Sequence, residues 1–505
     1  MERPTTPQLV AIVAVLAVFV AARFWNLTAS CLWFDEIFSV HAAEHSWSGM
    51  FNFVALDLIH PPLFYVVLKT WTSIGGEELF WLRLLPVIFS IIAIVPFVLF
   101  CRELRLTTWT TVLAFLLIAV NGPMIKYAQE VRMYSMLLCL SLFSMWLFSR
   151  FLRSGNGIII LTVFNILLVF THYFGWLVIA AEIVAIIAAN RELMKPIAVS
   201  LGITSAAFVP WAIAILNAAS SGSGLKQNIG WMNRPGLSEL AATGLNFVEP
   251  FYFRSTSIDP LSLYLVSIPI AVTALVCVVV NFYKGKTSDA STASVLLPLI
   301  FFAVPLAIAF AASWLLPYSV WGSRHLIIVF APFAILFAES IAELPLTRFI
   351  GIPIILTLSV VGFALTLDRG NPPLIWCGYD AAAEEISSGD GRSIFVFEDL
   401  AAYHLWFAVR SQRDAPTIVK VNGVTAMPED PSYFLPRGFD GVAIQDYEAS
   451  YPADFWIVYR SSKYDVNGEP LRSFIQKGYS VTDERIDDFG YAKLIAVRFS
   501  KSEQP

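Results

Sequence analysis

The sequence predicts a mainly α-helical, polytopic membrane protein with about eleven spans and a small C-terminal α/β domain outside the membrane. Of its 505 residues, 57% are hydrophobic and only 14% are charged, whereas soluble proteins have about 45–50% apolar and about 25% charged residues. Runs such as 9–25 and 261–283 carry almost no charge, and a helix of about 20 apolar residues can cross the hydrocarbon core. The charge that remains is concentrated toward the C-terminus.

The uncharged runs between charged breaks predict the spans one by one. The first run is expected to be an uncleaved helix rather than a secretory signal, because only Arg3 precedes it and its apolar stretch is long for a signal. The predicted helices are at about residues 8–25, 79–101, 108–121, 133–152, 157–171, 174–189, 195–217, 261–282, 293–315, 325–343 and 349–366.

Residues 60–74 are ambiguous, since this segment opens with two prolines and contains Lys69. It either spans the membrane or lies along its surface as an amphipathic helix. The positive-inside rule favours the surface helix, because the short cationic breaks then all face the cytoplasm. These breaks are Arg102/Arg105, Arg150/Arg153, Arg191/Lys195, Lys284/Lys286 and Arg348. The expected location is therefore the cell membrane, with the first outer loop and the C-terminal domain extracytoplasmic.

The predicted boundary separates a membrane domain, residues 1–367, from an extramembrane domain, residues 368–505. The first holds 19 Lys+Arg and 17 Asp+Glu, and the second 14 and 21, so neither is basic enough to indicate nucleic-acid binding. The second alternates short β-rich runs with helical ones, which predicts a small sandwiched sheet. The predicted strands are 393–397, 417–421, 455–459 and 492–499, and the predicted helices 381–387, 400–409 and 471–477.

The five cysteines include no C-x-x-C pair, so no metal or redox motif is indicated. Cys101, Cys139 and Cys277 lie in or beside apolar runs and are interpreted as small hydrophobic residues. Cys31 and Cys377 fall on the same predicted side of the membrane, and the sequence leaves open whether they pair.

Asp35 and Glu36 form the strongest local signal, directly after the first predicted span and beside Trp33 and Phe34. Two adjacent carboxylates near a membrane are costly unless they are paired or used. An apolar setting raises a carboxyl pKa, as a general base needs. The alternative is an interfacial aromatic belt with both acids in water.

Four further groups of polar residues fall in the predicted outer segments. His60 begins a His-Pro-Pro block at a helix start, where it could donate to a phosphate or simply accompany the prolines that begin the helix. Lys126, Tyr127, Glu130, Arg132 and Tyr134 crowd one helix end, and arginine grips phosphate oxygens in a bidentate manner. His172 interrupts an apolar stretch, and Arg324 with His325 offers a second phosphate site. Arg83 is interpreted as a snorkelling anchor.

The order Phe-Asp-Glu after the first helix, then His-Pro-Pro, then Y-x-Q-E-x-R-M-Y resembles the GT-C superfamily of membrane glycosyltransferases. The most similar members are the bacterial protein O-mannosyltransferases and the lipid A aminoarabinose transferase. The resemblance covers about residues 8–345 and implies that Asp35 is the general base, with Glu36 supporting it. It further implies an active-site acid at Glu130, a juxtamembrane helix at His60 and a phosphate role for Arg132.

The expected function is therefore transfer of a monosaccharide from a polyprenyl phosphate to a lipid, glycan or protein acceptor on the outer face. The expected partners are membrane lipid, the lipid-linked donor and an unidentified acceptor. No cofactor is expected; D-x-D is absent, which agrees with metal-free members of the family, although a divalent metal stays compatible. The alternatives are a transporter or lipid flippase, and a glycan polymerase or ligase using diphosphate-linked donors.

Overall fold

The structure is a computed structural model of the full chain. It describes residues 4–220, 226–230, 232–251, 266–273, 275–276, 289–342, 345–369, 374–387, 393–424, 435–436, 439–490 and 492–501. The chain folds as two compact units. The helical unit comprises Met1–Leu27, Leu58–Ser221 and Met232–Gly370, and the mixed unit comprises Thr28–Asp57, Gly222–Trp231 and Asn371–Pro505.

The helical unit contains helices of two lengths, those that can cross a membrane and shorter ones. In chain order its helices are α1 (Thr6–Phe24), α4 (Leu63–Gly75), α5 (Leu79–Ile92), α6 (Ile94–Glu103), α7 (Thr108–Val120), α8 (Gly122–Ala128), α9 (Tyr134–Ser154), α10 (Ile158–Thr171), α11 (Gly175–Ala189), α12 (Met194–Ser220), α14 (Leu237–Val248), α15 (Asp289–Leu315), a 3₁₀ turn (His325–Val329), α16 (Phe330–Ala342) and α17 (Pro345–Arg369). The numbering leaves α2, α3 and α13 to the mixed unit.

Within the described residues, 7 helical stretches are long and apolar enough to cross a membrane, and three shorter apolar helices, α7, α10 and α11, accompany them. The prediction of a multi-pass membrane protein is confirmed. The predicted helix at 261–282 lies largely outside the described residues, of which 266–273 are helical. The predicted span 79–101 is two helices, α5 and α6, which break at Ala93. Pro96 supplies no N–H to the preceding turn, which accounts for the break.

The ambiguous segment at 60–74 folds as α4, an amphipathic helix of 13 residues with Phe64, Tyr65 and Leu68 buried. At 1.5 Å per residue its length is about 20 Å, and it belongs neither to the long candidate spans nor to the shorter apolar helices. These features agree with the predicted surface helix.

The mixed unit combines the first loop with the C-terminal region. Its helices are α2 (Phe34–Glu44), α3 (Trp47–Asp57), α13 (Lys226–Ile229), α18 (Ile375–Ser387), α19 (Asp399–Val409) and α20 (Leu471–Gln476), and its strands are β1 (Ile394–Val396), β2 (Ile418–Asn422), β3 (Ala443–Asp446), β4 (Asp454–Ser461), β5 (Ser480–Asp488) and β6 (Lys493–Ser500). The sheet order is β3-β2-β1-β4-β6-β5. Strands β1 to β4 pair in parallel, and β6 pairs antiparallel with β4 and β5.

Both faces of this sheet are covered, as the predicted sandwich requires. Alternate residues of β1 enter different cores: Ile394 and Val396 face one cluster, and Phe395 faces the other. The first core includes residues of α18 and α19, and the second includes Phe474 of α20. The period of two along a strand produces this division.

All four predicted strands and all three predicted helices of this region are confirmed. The sequence analysis missed β3 and β5. Strand β5 reads Ser-Val-Thr-Asp-Glu-Arg-Ile-Asp-Asp and is mostly exposed at the sheet edge, so it lacks the apolar content that indicates a buried strand. Cys31 and Cys377, whose pairing the sequence left open, form a disulfide.

His404 lies in the core of the mixed unit and provides a test of its packing. The side chain is fully buried, its ring stacks on Trp376 at 5.2 Å, and neither ring nitrogen has a hydrogen-bond partner. Burial, and secondarily the charge of Arg460, lowers the pKa of His404 to about 3. The neutral ring is therefore the folded form, and its two desolvated nitrogens destabilise the fold.

We expect His404→Phe to keep the stacking and to stabilise the mixed unit by about 1 kcal/mol, because two unsatisfied polar atoms disappear. In the wild type, the unfolded state binds a proton that the folded state excludes, so stability falls as the pH drops from about 6.5 toward about 3. The variant should show a shallower fall. Hydrogen exchange of β1 and β4 in the full-length protein measures both effects, and lower protection in the variant at pH 7 would contradict the packing argument.

Candidate functional site

The segment from α8 to the first residue of α9 carries five of the eleven predicted site residues and is held by Asn121 and Gln129. The Asn121 side chain accepts a bond from the Met124 N–H at 3.0 Å and so caps α8. Its Nδ2 donates to the carbonyls of Asn246 and Phe247 at 2.9 and 3.2 Å. Gln129 donates to the Trp25 carbonyl at 2.8 Å, beyond the end of α1. This segment is thus fixed to two other segments of the helical unit through carbonyl groups.

Arg132 lies at the centre of the site with its side chain buried. One terminal nitrogen, Nη2, lies 3.1 Å from Nε2 of His60, and Nη1 donates to the Tyr65 hydroxyl at 3.4 Å. Because a guanidinium can only donate, His60 Nε2 must accept, and its proton is then on Nδ1. Tyr65 was not predicted as a site residue, although it lies in the same His-Pro-Pro block as His60.

His172 lies next to this pair, with its ring 5.7 Å from His60 and 5.2 Å from His325. The Phe174 N–H donates to His172 Nδ1 at 3.0 Å, which leaves the proton on Nε2. Burial lowers the pKa of His172 well below its ordinary value, and electrostatic interaction with His60, Arg132 and Arg324 lowers it further. The electrostatic potential at this position is therefore positive. We call His60, Arg132, His172, Arg324 and His325 the arginine–histidine cluster.

Lys126 and Glu130 lie beside the cluster on the α8 side. The Lys126 ammonium is 3.7 Å from Glu130 Oε1, and the Lys126 side chain is 48% exposed while Glu130 is mostly buried. The Tyr127 hydroxyl is 3.4 Å from the Ser323 hydroxyl, next to Arg324. The Tyr127 and Tyr134 rings lie 5.2 Å apart, and Tyr134 faces His325 at 6.4 Å.

Glu249 is a buried acid that the sequence analysis did not select. Its carbonyl accepts from the Gly122 N–H at 2.8 Å, which brings the residue to the start of α8, and its carboxyl oxygen Oε1 has no hydrogen-bond partner. Burial raises the pKa of Glu249 to about 8, opposed by the positive charge of Lys126. The only sequence signal was an acid followed by Pro250 after an apolar segment.

Asp35 and Glu36 lie in the first turn of α2, in the mixed unit. Glu36 is fully buried, and its Oε2 accepts from the Trp33 N–H at 3.1 Å. Asp35 is half-buried, and its carbonyl accepts from the Ser39 hydroxyl at 3.0 Å. Carboxylates at a helix N-terminus are stabilised by the helix dipole.

The structure thus brings the predicted residues together in two groups. The helical unit holds the catalytic candidate Glu130 and the binding candidates His60, Lys126, Tyr127, Arg132, Tyr134, His172, Arg324 and His325, and the mixed unit holds Asp35 and Glu36. Among the described residues, no group of three or more His, Cys, Asp or Glu side chains is placed to hold a metal ion.

Glu249→Gln tests the electrostatics beside Lys126. Because the folded state retains a proton on Glu249 up to about pH 8, and the unfolded state releases it near pH 4.5, wild-type stability should fall as the pH rises across that interval. The variant cannot ionise, so we expect its stability to lack this fall and to exceed that of the wild type above pH 8. Thermal unfolding, followed by labelling of the buried thiols Cys101 and Cys139, provides the measurement.

The exposed acid Glu192 supplies a control, and Glu192→Gln should follow the wild-type pH profile. If Glu249→Gln followed it as well, the acid would be ionised in the folded protein at neutral pH.

No protein-family model matches the sequence, and no curated protein matches it. Among solved structures, ArnT from Cupriavidus metallidurans in the apo state superposes with a TM-score of 0.56 at 12% identity, over 96% of this chain and 97% of that chain. ArnT bound to undecaprenyl phosphate gives 0.52 at 12% identity, over the same shares. The Archaeoglobus fulgidus oligosaccharyltransferase gives 0.49 at 14% identity over 79% of this chain, which spans only 61% of that protein's length. The resemblance inferred from the three sequence blocks is thereby confirmed at the level of the fold, and this chain has the fold of ArnT.

Proposed function

We propose that the protein is a membrane glycosyltransferase that moves a sugar from a polyprenyl phosphate to an acceptor. The observation that carries the proposal is the grouping of two arginines with three histidines in the arginine–histidine cluster, where Arg132 contacts His60 and the His172 ring lies between those of His60 and His325. Such a grouping stabilises an anion. ArnT, whose fold this chain shares, has been crystallised with undecaprenyl phosphate, and a lipid phosphate is the anion that a multi-pass membrane protein can receive from the bilayer.

In this proposal Arg132 and Arg324 hold the donor phosphate, and Lys126 assists from the rim. The guanidinium of Arg132 already has its orientation set by His60 and Tyr65, so little reorganisation accompanies phosphate binding. With Nδ1 accepting a backbone bond, the neutral ring of His172 keeps Nε2–H as a donor. Glu130 orients Lys126 through their ion pair.

The reaction is a single displacement. The acceptor oxygen or nitrogen forms a bond to the anomeric carbon while the bond from that carbon to the phosphate oxygen breaks. The electron pair of the broken bond stays on the phosphate, whose added negative charge the cations stabilise. The acceptor's proton passes to Asp35, which later returns it to water.

Asp35 is proposed as the base on the strength of its own surroundings and of the sequence resemblance. Asp35 is half-buried as a residue, and partial dehydration strengthens a base. The neighbouring Glu36 caps the helix start through the Trp33 N–H, and the sequence resemblance assigns it the supporting role beside Asp35.

We further propose that the mixed unit faces the extracytoplasmic side. Its disulfide Cys31–Cys377 is typical of an oxidising compartment. The positive-inside rule, applied with α4 on the surface, independently supports this orientation. The transporter alternative receives less support, because Glu182, a buried acid within the apolar helix α11, is held by Ser144 and Asn165 at 2.7 and 2.8 Å.

Arg132→Ala should weaken donor binding. Loss of one charge-assisted phosphate contact costs about 2 kcal/mol, or roughly thirtyfold in Kd. Arg132→Lys should have a Kd between those of the wild type and Arg132→Ala, because lysine keeps the positive charge but lacks the paired N–H donors of the guanidinium. Binding of undecaprenyl phosphate to the purified protein in nanodiscs, measured by native mass spectrometry, reports this. Arg234→Ala removes an exposed arginine that contacts Trp314 and should bind as the wild type does. Equal binding by Arg132→Ala would overturn the phosphate site.

Asp35→Asn should lower turnover by about 10²- to 10⁴-fold while donor binding stays unchanged, because the amide cannot take a proton. Release of undecaprenyl phosphate from a panel of undecaprenyl-phosphate-linked pentoses and hexoses, in the presence of membrane lipids and glycans as acceptors, measures turnover. Asn52→Ala, an exposed change in α3, serves as the control in the same loop. Near wild-type turnover by Asp35→Asn would exclude Asp35 as the base, and absence of turnover by the wild type across the panel would count against the transferase itself.

A further inference from the structure

Helix α2, which carries Asp35, is too short to be stable by itself. It has 11 residues, and isolated helices below about 12–15 residues are marginal in water. Its orientation must therefore come from the elements on which it packs. Within the mixed unit, those elements belong to the C-terminal part of the chain.

One face of α2 packs on α19. Phe34 meets the Tyr403 ring edge-on at 5.5 Å, and His41, two helical turns later, lies 2.7 Å from the Tyr403 hydroxyl through Nδ1. Tyr403 is fully buried and therefore anchors both ends of this face. Because residues seven apart lie on the same side of a helix, the two contacts fix the rotation of α2 about its axis.

An ion pair holds the C-terminal end of α2. Glu44 Oε1 accepts from Nε and Nη2 of Arg410 at 2.8 and 2.5 Å, just after the end of α19. Both side chains are largely shielded, at 28% and 19% exposed, so this pair contributes more than a fully exposed one. The guanidinium also lies 3.5 Å from the Phe407 ring centroid.

A disulfide bond holds the chain just before α2. Cys31 precedes the helix by three residues and is joined to Cys377 of α18. The Glu36 cap then sets the first turn. Asp35 lies between these two restraints and turns away from the face that contacts Tyr403, since it is one residue from Phe34.

We propose that the C-terminal domain is a clamp that sets the orientation of α2, and that Tyr403 and Arg410 are positioning residues for Asp35. The clamp consists of the disulfide Cys31–Cys377, the Tyr403–His41 contact and the Arg410–Glu44 pair. The role of Asp35 in this inference rests on the proposed function, whereas the clamp itself does not. Neutral His41 suits the contact, because burial, with His45 and Arg410, lowers the pKa of His41 to about 3.

A charge exchange tests the clamp in the full-length protein. Glu44→Arg should release the end of α2, and the double variant Glu44→Arg, Arg410→Glu should restore it. We expect turnover to fall about 10- to 100-fold in the single variant, with KM for the donor unchanged, because a small misplacement of a catalytic group acts on the rate. The double variant should recover most of this loss. Tyr403→Phe, which keeps the ring and removes the hydroxyl, should show a smaller loss of the same kind.

Hydrogen exchange of residues 34–45 supplies a readout that needs no substrate. Hydrogen exchange should become at least tenfold faster in Glu44→Arg, and faster still when Cys31→Ser and Cys377→Ser are combined with it. In the double variant Glu44→Arg, Arg410→Glu, the hydrogen-exchange rate should return to that of the wild type. Glu385→Gln, which removes an ion pair with Arg485 in the same unit, is the matched control and should change neither readout.

The outcomes separate the clamp from the proposed function. Unchanged exchange of α2 in the single variant would overturn the clamp whatever the activity shows. Faster exchange with unchanged turnover would overturn the positioning role and leave the transferase intact. If the wild type turned over none of the donors, the proposed function would fail, and the exchange experiment would still decide whether the domain holds α2.

Discussion

The buried guanidinium of Arg132 is the constraint on which the organisation of the helical unit depends. A buried cation needs hydrogen-bond acceptors. For Arg132 one acceptor is His60, just before α4, and another is Tyr65, in the first turn of α4. This requirement explains the two prolines between His60 and Tyr65. By fixing the entry of α4, they bring an imidazole acceptor and a phenol to the same guanidinium. Burial lowers the pKa of His172, and the charge of Arg132 lowers it further.

Backbone carbonyls at helix ends provide the second set of restraints. Arg23 donates to the carbonyls of Ile118 and Ala119 at the end of α7, and Arg83 donates to the Leu27 carbonyl at 2.8 Å. Cations and amides therefore satisfy groups that a helix end leaves without partners. Arg83 therefore makes a defined hydrogen bond to the backbone, whereas the sequence indicated only a snorkelling anchor. These hydrogen bonds connect α1, α7 and the turn after α8, so the site residues lie on fixed elements.

The sequence predicted what hydropathy and local charge determine. Where the structure describes the chain, apolar runs located the helices to within a few residues, and Lys126 and Glu130, which crowd one helix end in the sequence, form an ion pair. Disulfide pairing and side-chain burial that depend on residues far away in the sequence could not be predicted. The Cys31–Cys377 pair joins residues 346 positions apart, and cysteine positions alone do not determine pairing. Glu249 was missed because its burial depends on Asn121, 128 residues away, whose side chain holds the Glu249 backbone.

Glu249 of the helical unit and Asp35 of the mixed unit illustrate how the surroundings decide a carboxylate's role. Glu249 is buried without a partner for Oε1, and its pKa of about 8 keeps it protonated at neutral pH. It therefore cannot accept a proton there, although it lies beside a cation. Asp35 lies at a helix start, which stabilises negative charge, and the residue is only half-buried. These surroundings agree with the proposal that Asp35, and not Glu249, is the general base.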